Sequence, residues 1–169
     1  MARLLSGDRL FDIHVARLHP DGRRALAVGV SYGYWLVVGD METDQTLFQY
    51  RLNGQFGEIA ISDDGMLAAV TDPGSRLIGE PGRVHIVDLR TLSVTLPSFP
   101  VELLHWYWAE QICFLPGDRR VATAPKSSWD LNRGPISTID LTTMRFEKSV
   151  WLPDSNGMAT GGMGVGPRP

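Results

Sequence analysis

Cysteine is almost missing from this sequence, which has one, Cys113. A single cysteine cannot form an internal disulfide or a Cys-based zinc site, and it is compatible with a reducing compartment. Long hydrophobic runs are missing too, because no apolar stretch approaches the roughly 20 residues of a membrane helix. The first residues, Met-Ala-Arg-Leu-Leu-Ser-Gly-Asp, reach charge too early for a secretory signal. We therefore expect a cytoplasmic protein with no membrane partner.

Excess positive charge is also lacking. Lysine and arginine number 16 against 19 acidic residues, so the net charge is -3. That balance gives no general cationic surface, and we expect no nucleic-acid partner. The sequence has no phosphate-binding loop, dinucleotide-binding loop or zinc-protease motif, and no Gly-x-Ser-x-Gly run that is followed by a helix pattern, as a nucleophile elbow requires. It therefore predicts no catalytic residue and no cofactor.

Turn-forming residues, in contrast, are plentiful: the chain has 18 glycines and 11 prolines. They separate short runs rich in β-branched and alternating apolar residues, such as Ala25-Leu-Ala-Val-Gly-Val and Val84-His-Ile-Val. Such runs are typical of short strands, and helix signals are scarce. The pattern predicts an all-β fold.

The runs repeat along the chain. Ala16-Arg-Leu-His-Pro-Asp-Gly-Arg-Arg-Ala-Leu-Ala-Val is echoed from Ala60 and again, with permuted turn residues, from Cys113. A second motif follows each copy, and its aspartates recur at intervals of 48 and 52 residues: Asp40, Asp88 and Asp140. Four-stranded units at about 40–50 residues are typical of propeller blades.

Two segments carry a family resemblance. His19-Pro-Asp-Gly-Arg-Arg-Ala-Leu-Ala-Val and Val84-His-Ile-Val-Asp-Leu-Arg-Thr resemble the blade consensus of WD40-like and YVTN-type β-propellers. The Gly-His dipeptide of WD40 repeats is absent, and the repeated aspartates Asp40, Asp88 and Asp140 are not preceded by the tryptophan of the strict Trp-Asp motif, which favours the looser relatives. The resemblance implies blades of four antiparallel strands at about 14–53, 56–100 and 106–153. We expect a partial propeller over 1–153 and a flexible, Gly-rich tail over 154–169; the alternative is a small β-sandwich.

Three blades are fewer than the four to eight of a closed ring. The chain could be a piece of a longer propeller, or two copies could pair into a six-bladed ring. A degenerate fourth blade could also form from residues 1–13 and a segment supplied by a partner. All three alternatives make the monomer incomplete, so we expect self-association or completion by another chain.

Two proline-bounded insertions indicate a binding surface. They begin at Asp72 and Pro125, where the first blade has only the tight connection Ser31-Tyr-Gly-Tyr. Propeller topology places all three connections on one face, and loops on a rigid scaffold are where binding usually occurs. The residues expected there are Tyr32, Tyr34, Arg76, Glu80, Lys126, Trp129, Asp130 and Arg133. Since Trp, Tyr and Arg dominate interface energies, we interpret the chain as a non-catalytic module that binds a protein or peptide.

The alternative interpretation is a subunit of a propeller enzyme, either a metal-dependent hydrolase or a dehydrogenase. The resemblance includes propeller lactonases, which hold a metal ion at the channel mouth. His14, just upstream of an inner strand, would then converge with Glu58 and Glu110 on Ca²⁺ or Zn²⁺. His19, before a turn, and His85, within a strand, are interpreted as structural.

Overall fold

Twelve strands make up the described part of the chain. The computed structural model describes residues 12–53, 57–72, 82–98, 109–125 and 136–150. The first sheet contains β1 (Asp12–Leu18), β2 (Arg24–Val30), β3 (Tyr34–Asp40) and β4 (Gln45–Leu52). The second contains β5 (Ile59–Ile61), β6 (Leu67–Asp72), β7 (Arg83–Asp88) and β8 (Ser93–Thr95). The third contains β9 (Ala109–Phe114), β10 (Arg120–Pro125), β11 (Ile136–Asp140) and β12 (Arg145–Val150).

Each sheet is an antiparallel meander in which neighbouring strands follow one another in the sequence. This confirms the expected all-β fold with four-stranded blades, here called blades 1, 2 and 3. The β-sandwich alternative is wrong, because the described strands form three separate sheets, which do not close into a ring. No helix in these ranges is long and apolar enough to cross a membrane. The division at residue 153 and the tail over 154–169 lie outside the described residues and stay predictions.

The blades pack face to face. Side chains alternate across each strand, so one strand can supply both of its neighbours. In β6, Ala68 and Val70 pack against blade 1, whereas Ala69 packs against blade 3. The core between blades 1 and 2 includes Leu26, Val28, Leu36, Val38, Ile59 and Leu89. The core between blades 2 and 3 includes Val84, Ile86, Ile112, Phe114, Val121 and Ile139.

The turns between the first two strands of each blade share one backbone hydrogen bond. The residue that opens the turn accepts a backbone N–H three residues later: His19, Ser62 and Leu115. In blades 1 and 2 a glycine then takes a left-handed φ, 71° at Gly22 and 69° at Gly65. In blade 3 the order of the turn residues is permuted to Pro-Gly-Asp, and both Gly117 and Asp118 take left-handed φ values, 86° and 54°. Proline followed by glycine with positive φ is the signature of a type II turn.

The repeated aspartates close the turns between the third and fourth strands. In each blade the aspartate Oδ1 accepts the backbone N–H of the threonine three residues later, at 3.2, 3.1 and 2.7 Å for Thr43, Thr91 and Thr143. The last turn residue then takes a left-handed φ of 54°, 55° and 52° at Asp44, Leu92 and Met144. Short carboxylates are suited to this role because they hydrogen-bond nearby backbone groups.

Hydrogen bonds also join the blades at this end, called the turn end. His19 Nε2 donates to Gly65 O at 2.8 Å, and His19 Nδ1 accepts the Asp21 N–H at 3.1 Å. Arg24 Nη1 donates to Leu89 O in blade 2 at 2.8 Å. Between blades 2 and 3, the Asp63 N–H donates to Asp118 Oδ2 at 3.0 Å. The turns therefore align the blades as well as reversing the chain.

A buried polar pair lies at the opposite end of blade 2. Asp72 Oδ2 accepts the backbone N–H of Asn53, just after β4 of blade 1, at 2.8 Å. The same oxygen lies 3.3 Å from His85 Nε2, and both side chains are buried. Tyr50 of blade 1 meets the His85 ring edge to face at 5.2 Å. His85 therefore helps to join the blades, in keeping with the structural role expected for it.

The His19 contact predicts a difference between two glycine substitutions. Gly22→Ala should lower the free energy of unfolding by about 1–2 kcal/mol, because alanine disfavours a left-handed φ. Gly65→Ala adds a collision, since a Cβ there would lie 2.8 Å from His19 Nε2, whereas nothing lies within 4 Å of a Cβ at Gly22. We expect Gly65→Ala to be the more destabilising in urea unfolding. Equal losses for the two variants would contradict a structural role for the histidine.

The Arg23–Asp40 pair predicts acid sensitivity. Two hydrogen bonds from Arg23 lower the pKa of Asp40 to about 2. Because the pKa is depressed in the folded state, the stabilisation is complete above the ordinary aspartate pKa of about 3.9. It is lost as the pH falls towards about 2. Between about pH 3.9 and about pH 2, the Tm of Asp40→Asn should therefore decrease less than the Tm of the wild type.

The control for this experiment is Asp44→Asn, in the same turn. Asp44 is exposed and has a φ of 54°, which asparagine tolerates. We expect this variant to keep the wild-type profile in thermal scans. An unchanged slope in Asp40→Asn would show that Arg23 does not stabilise the folded state through this carboxylate.

Candidate binding surface

The end of the blades opposite the turn end is called the loop end. It carries the connections between second and third strands, which are residues 31–33, 73–82 and 126–135. In blade 1 this connection is short: the Ser31 N–H donates to Gly33 O at 2.9 Å, and Tyr32 has a φ of 49°. The Tyr32 side chain is 95% exposed. A large aromatic residue is thus presented to solvent from a tightly closed turn.

Trp35 supports this turn from β3. Its indole Nε1 donates to Ser31 O at 3.0 Å, and its side chain is half-buried. Arg51 of β4 is its cross-strand partner, so both side chains stand on one face of the blade. A Cβ placed on Gly33 would lie 3.6 Å from both Trp35 Nε1 and Arg51 Nε. The indole and guanidinium groups therefore flank the turn that carries Tyr32.

Tyr34 has a different position from Tyr32. It is half-buried and packs against the core between blades 1 and 2. The two tyrosines, grouped together in the sequence prediction, are thus separated by the turn. Tyr32 offers its ring to solvent, whereas Tyr34 contributes to the stability of the blade.

The loop ends of blades 1 and 2 lie side by side. The hydrogen bond from Asn53 to Asp72 joins the end of β4 to the end of β6, where the connection over 73–82 begins. The turn ends of all three blades are also joined to one another, as described above. We infer that the three loop ends share the opposite side of the molecule. The other expected binding residues lie outside the described ranges: Arg76, Glu80, Lys126, Trp129, Asp130 and Arg133.

The metal candidates have separate surroundings. Glu58 pairs with Arg17 of blade 1, and its backbone N–H donates to Thr71 Oγ1 at 2.7 Å. His14, expected just upstream of the inner strand, instead lies within β1 at a bulge, where its side chain is exposed. Glu110 belongs to β9, but its side chain is not among those described. In the described ranges no three His, Cys, Asp or Glu side chains are placed to hold a metal ion.

Two residues of this surface were not selected from the sequence, Trp35 and Arg51. Both look like ordinary strand residues, because their significance depends on the pairing of β3 with β4. The sequence does carry a signal for this contact. Apolar and polar residues alternate along each strand, and the turn between β3 and β4 can be located from its residues. That turn fixes the register, which then places Trp35 opposite Arg51.

Comparisons with known proteins bear on the fold. No protein-family model and no curated protein sequence matches the chain. The structure is similar to that of a eukaryotic initiation factor, with a TM-score of 0.64 and 14% identity, over 85% of this chain and 33% of that one. It is also similar to the RRP9 WD40 repeats, with a TM-score of 0.61 and 12% identity, over 88% and 40% of the two chains.

The β-propeller domain of the Trilobed protease from Pyrococcus furiosus is a further neighbour. It matches with a TM-score of 0.57 and 13% identity, over 89% of this chain and 45% of that one. The chain therefore spans between a third and a half of the length of these three structures. At such low identities the likeness is one of fold, and the three sheets of this chain agree with it. The chain has the fold of a partial β-propeller, with three WD40-like blades described.

Proposed function

We propose that this chain is a non-catalytic binding module, which recognises a protein or peptide through its loop end. The observation that carries the proposal is the presentation of Tyr32, 95% exposed on a turn that backbone and indole hydrogen bonds hold closed. Tyrosine supplies a large contact area at a low cost in side-chain entropy. A fixed turn lowers that cost further, because little backbone freedom is left to lose on binding.

The neighbouring groups favour a partner that offers carboxylates. Arg51 lies beside the tyrosine turn, and Arg76, Lys126 and Arg133 belong to the two longer connections of the loop end. Arginine binds carboxylates in a bidentate way, and tyrosine packs well against apolar or aromatic side chains. A peptide combining an acidic residue with an aromatic one suits this surface best.

The proposal includes assembly and location. The described blades do not close a ring, and a propeller blade needs a neighbour on each face. We propose that the ring is completed by self-association or by another chain. We further propose that the protein works in the cytoplasm, without nucleic-acid or membrane partners, as its single cysteine and net charge of -3 favour.

Tyr32→Ala tests the role of the turn. The probe is a random peptide display library selected on the wild-type protein. We expect the selected peptides to lose about tenfold or more in affinity for Tyr32→Ala, as for the removal of an interface anchor. The free energy of unfolding should change by less than about 0.5 kcal/mol, because the side chain is exposed.

The matched control is Met66→Ala. Met66 is an exposed side chain at the turn end of blade 2, away from the loop end. Selected peptides should bind this variant as tightly as the wild-type protein. Failure to enrich any peptide, or equal affinity for Tyr32→Ala and the wild type, would contradict peptide recognition by the loop end.

The contribution of the longer connections is tested by the double change Trp129→Ala with Arg133→Ala. We expect it to abolish binding of the same peptides while the circular dichroism spectrum and Tm stay unchanged. Both side chains belong to residue types that dominate interface energies. Full binding by the folded double variant would restrict the site to the tyrosine turn of blade 1.

A further inference from the structure

The fourth strand of each blade is an edge strand, and the chain itself adds a residue to one of these edges. Ser98, which follows β8 of blade 2, lies beside Arg145, the first residue of β12, in a parallel arrangement. The Ser98 N–H donates to Met144 O at 3.0 Å, and the Phe146 N–H donates to Ser98 O at 3.2 Å. A residue from outside blade 3 thus extends its sheet through backbone hydrogen bonds, which is the geometry of strand addition.

Blade 1 repeats the local geometry that receives this serine. Asp44 corresponds to Met144, since each is the fourth residue after the repeated aspartate, and their φ values are 54° and 52°. Both fourth strands then have a bulge at the same place, because Leu47 and Glu147 are the residues skipped in the pairing with the third strand. The two backbone groups that receive the serine in blade 3 therefore have their equivalents in Asp44 O and the Thr46 N–H.

The edges of the three blades differ in how well they are protected. β8 has three residues and is soon followed by Pro97, and β12 carries Arg145, Glu147 and Lys148. Short strands, prolines and charged side chains are devices that keep an edge from pairing with another chain. β4 has eight residues, and those from Gln45 to Tyr50 are uncharged and include no proline. Among the described residues, β4 pairs with β3 and with no other strand.

The exposed side chains of β4 suit an extended peptide. Leu47 is 40% exposed at the bulge and offers an apolar contact. Arg51 is also exposed and stands near the loop end, beside the turn that carries Tyr32. Because β4 runs from the turn end towards this arginine, the C-terminal part of a parallel peptide would lie next to it. The edge is therefore continuous with the surface of the proposed function.

The charge at Arg51 indicates what kind of segment fits. Arg51 forms no ion pair with the described side chains of this chain, so its guanidinium can bind a carboxylate from another one. Residues 1–11, which directly precede blade 1, carry two arginines and one aspartate and complement it less well. Other arginines of the described strands and turns do pair with carboxylates of the chain: Arg17, Arg23, Arg24, Arg90 and Arg120.

We propose that β4 binds an extended segment of a partner protein, which adds to blade 1 as a fifth strand parallel to β4. One peptide residue takes the place that Ser98 has in blade 3, donating to Asp44 O and accepting the Thr46 N–H. Arg51 lies six residues along the strand from Gln45, and the bulge takes up one of them. A carboxylate about five residues further along the peptide therefore meets the guanidinium. This gives the partner class of the proposed function, on which it rests.

Two synthetic peptides with blocked ends and a fluorescein label test the direction of binding. The first, Thr-Val-Ser-Val-Thr-Val-Thr-Glu, has its carboxylate at the C-terminal end, and the second has the reverse order, Glu-Thr-Val-Thr-Val-Ser-Val-Thr. We expect the first to bind about tenfold more tightly in fluorescence anisotropy, because only its carboxylate reaches Arg51 in a parallel strand. Arg51→Gln should remove this difference.

Hydrogen exchange at Thr46 gives a readout that needs no variant. Its amide proton should exchange several-fold more slowly when the first peptide is bound, because the N–H is then paired with the peptide. The amide of Val94, at the equivalent position of blade 2, is the control and should keep its rate.

Leu47→Lys tests the edge itself. A lysine on an edge strand disfavours pairing, so we expect the first peptide to lose about tenfold in affinity while the Tm stays unchanged. Met66→Lys is the matched control, because it adds the same charge to an exposed side chain at the turn end of blade 2. This variant should bind the peptide as the wild type does.

Four results would overturn the proposal: no binding of either peptide at millimolar concentration, equal or reversed affinities for the two, an unchanged exchange rate at Thr46 on binding, or full binding by a folded Leu47→Lys variant. Slow exchange at Thr46 in the free protein would overturn it as well, since a segment of the same chain would then fill the edge.

The peptides selected from the display library separate this failure from that of the proposed function. Selected peptides that need Tyr32 but bind Leu47→Lys as tightly as the wild type would leave the loop end and remove the strand addition. Protection of Thr46 by the first synthetic peptide, with no library peptide that depends on Tyr32, would do the opposite.

Discussion

Every blade is one twisted sheet with two apolar faces, and a single sheet cannot bury either face by itself. The rest of the structure depends on this constraint. It explains why the small residues Ala68 and Ala69 adjoin each other in β6: one meets blade 1 and the other meets blade 3. It also explains why β6, the second strand of the middle blade, is buried along almost its whole length. The loop end is fixed in place only because these sheets hold one another.

Polar contacts supply what apolar packing lacks, namely a defined alignment of one blade on the next. Hydrophobic burial is non-directional, so it would allow two sheets to slide over each other. The bonds from His19 to Gly65 and from Asn53 to Asp72 lie at opposite ends of the first seam and exclude such sliding. Arg24 joins the same seam through Leu89 O. These groups hold the tyrosine turn of blade 1 in a constant position relative to the start of the connection from blade 2.

Much of the fold could be predicted from the sequence because its signals are local and occur three times. The Pro-Asp-Gly turn and the aspartate after the third strand use hydrogen bonds within three or four residues, so their motifs carry the geometry directly. The permuted turn at Gly117 was recognisable for the same reason. Exposure at Tyr32 followed from its turn, but the half-buried state of Tyr34 did not, since it depends on packing between blades.

The contacts that sequence reasoning missed all join distant segments. His19 was identified as structural, yet its acceptor, Gly65, lies 46 residues away and offers only a backbone carbonyl. Asp72 and His85 are separated by the connection of residues 73–82, and their burial depends on blade 1. Trp35 and Arg51 become neighbours only through strand register. Residue type and spacing along the chain do not encode the contacts between blades, whereas the pairing of Trp35 with Arg51 follows once the turn and the strand register are known.

The turns after the third strands have a consequence for motion. Asp44, Leu92 and Met144 each adopt a left-handed φ, which costs a residue other than glycine about 1–2 kcal/mol. In each blade the strained residue lies in the hairpin between the third and fourth strands. The fourth strand, β4, β8 or β12, is an edge strand and pairs with one neighbour in its own sheet. Local opening should therefore begin at the rim of each blade, with the second and third strands exchanging their amide protons last. Each blade should therefore be least stable along its fourth strand.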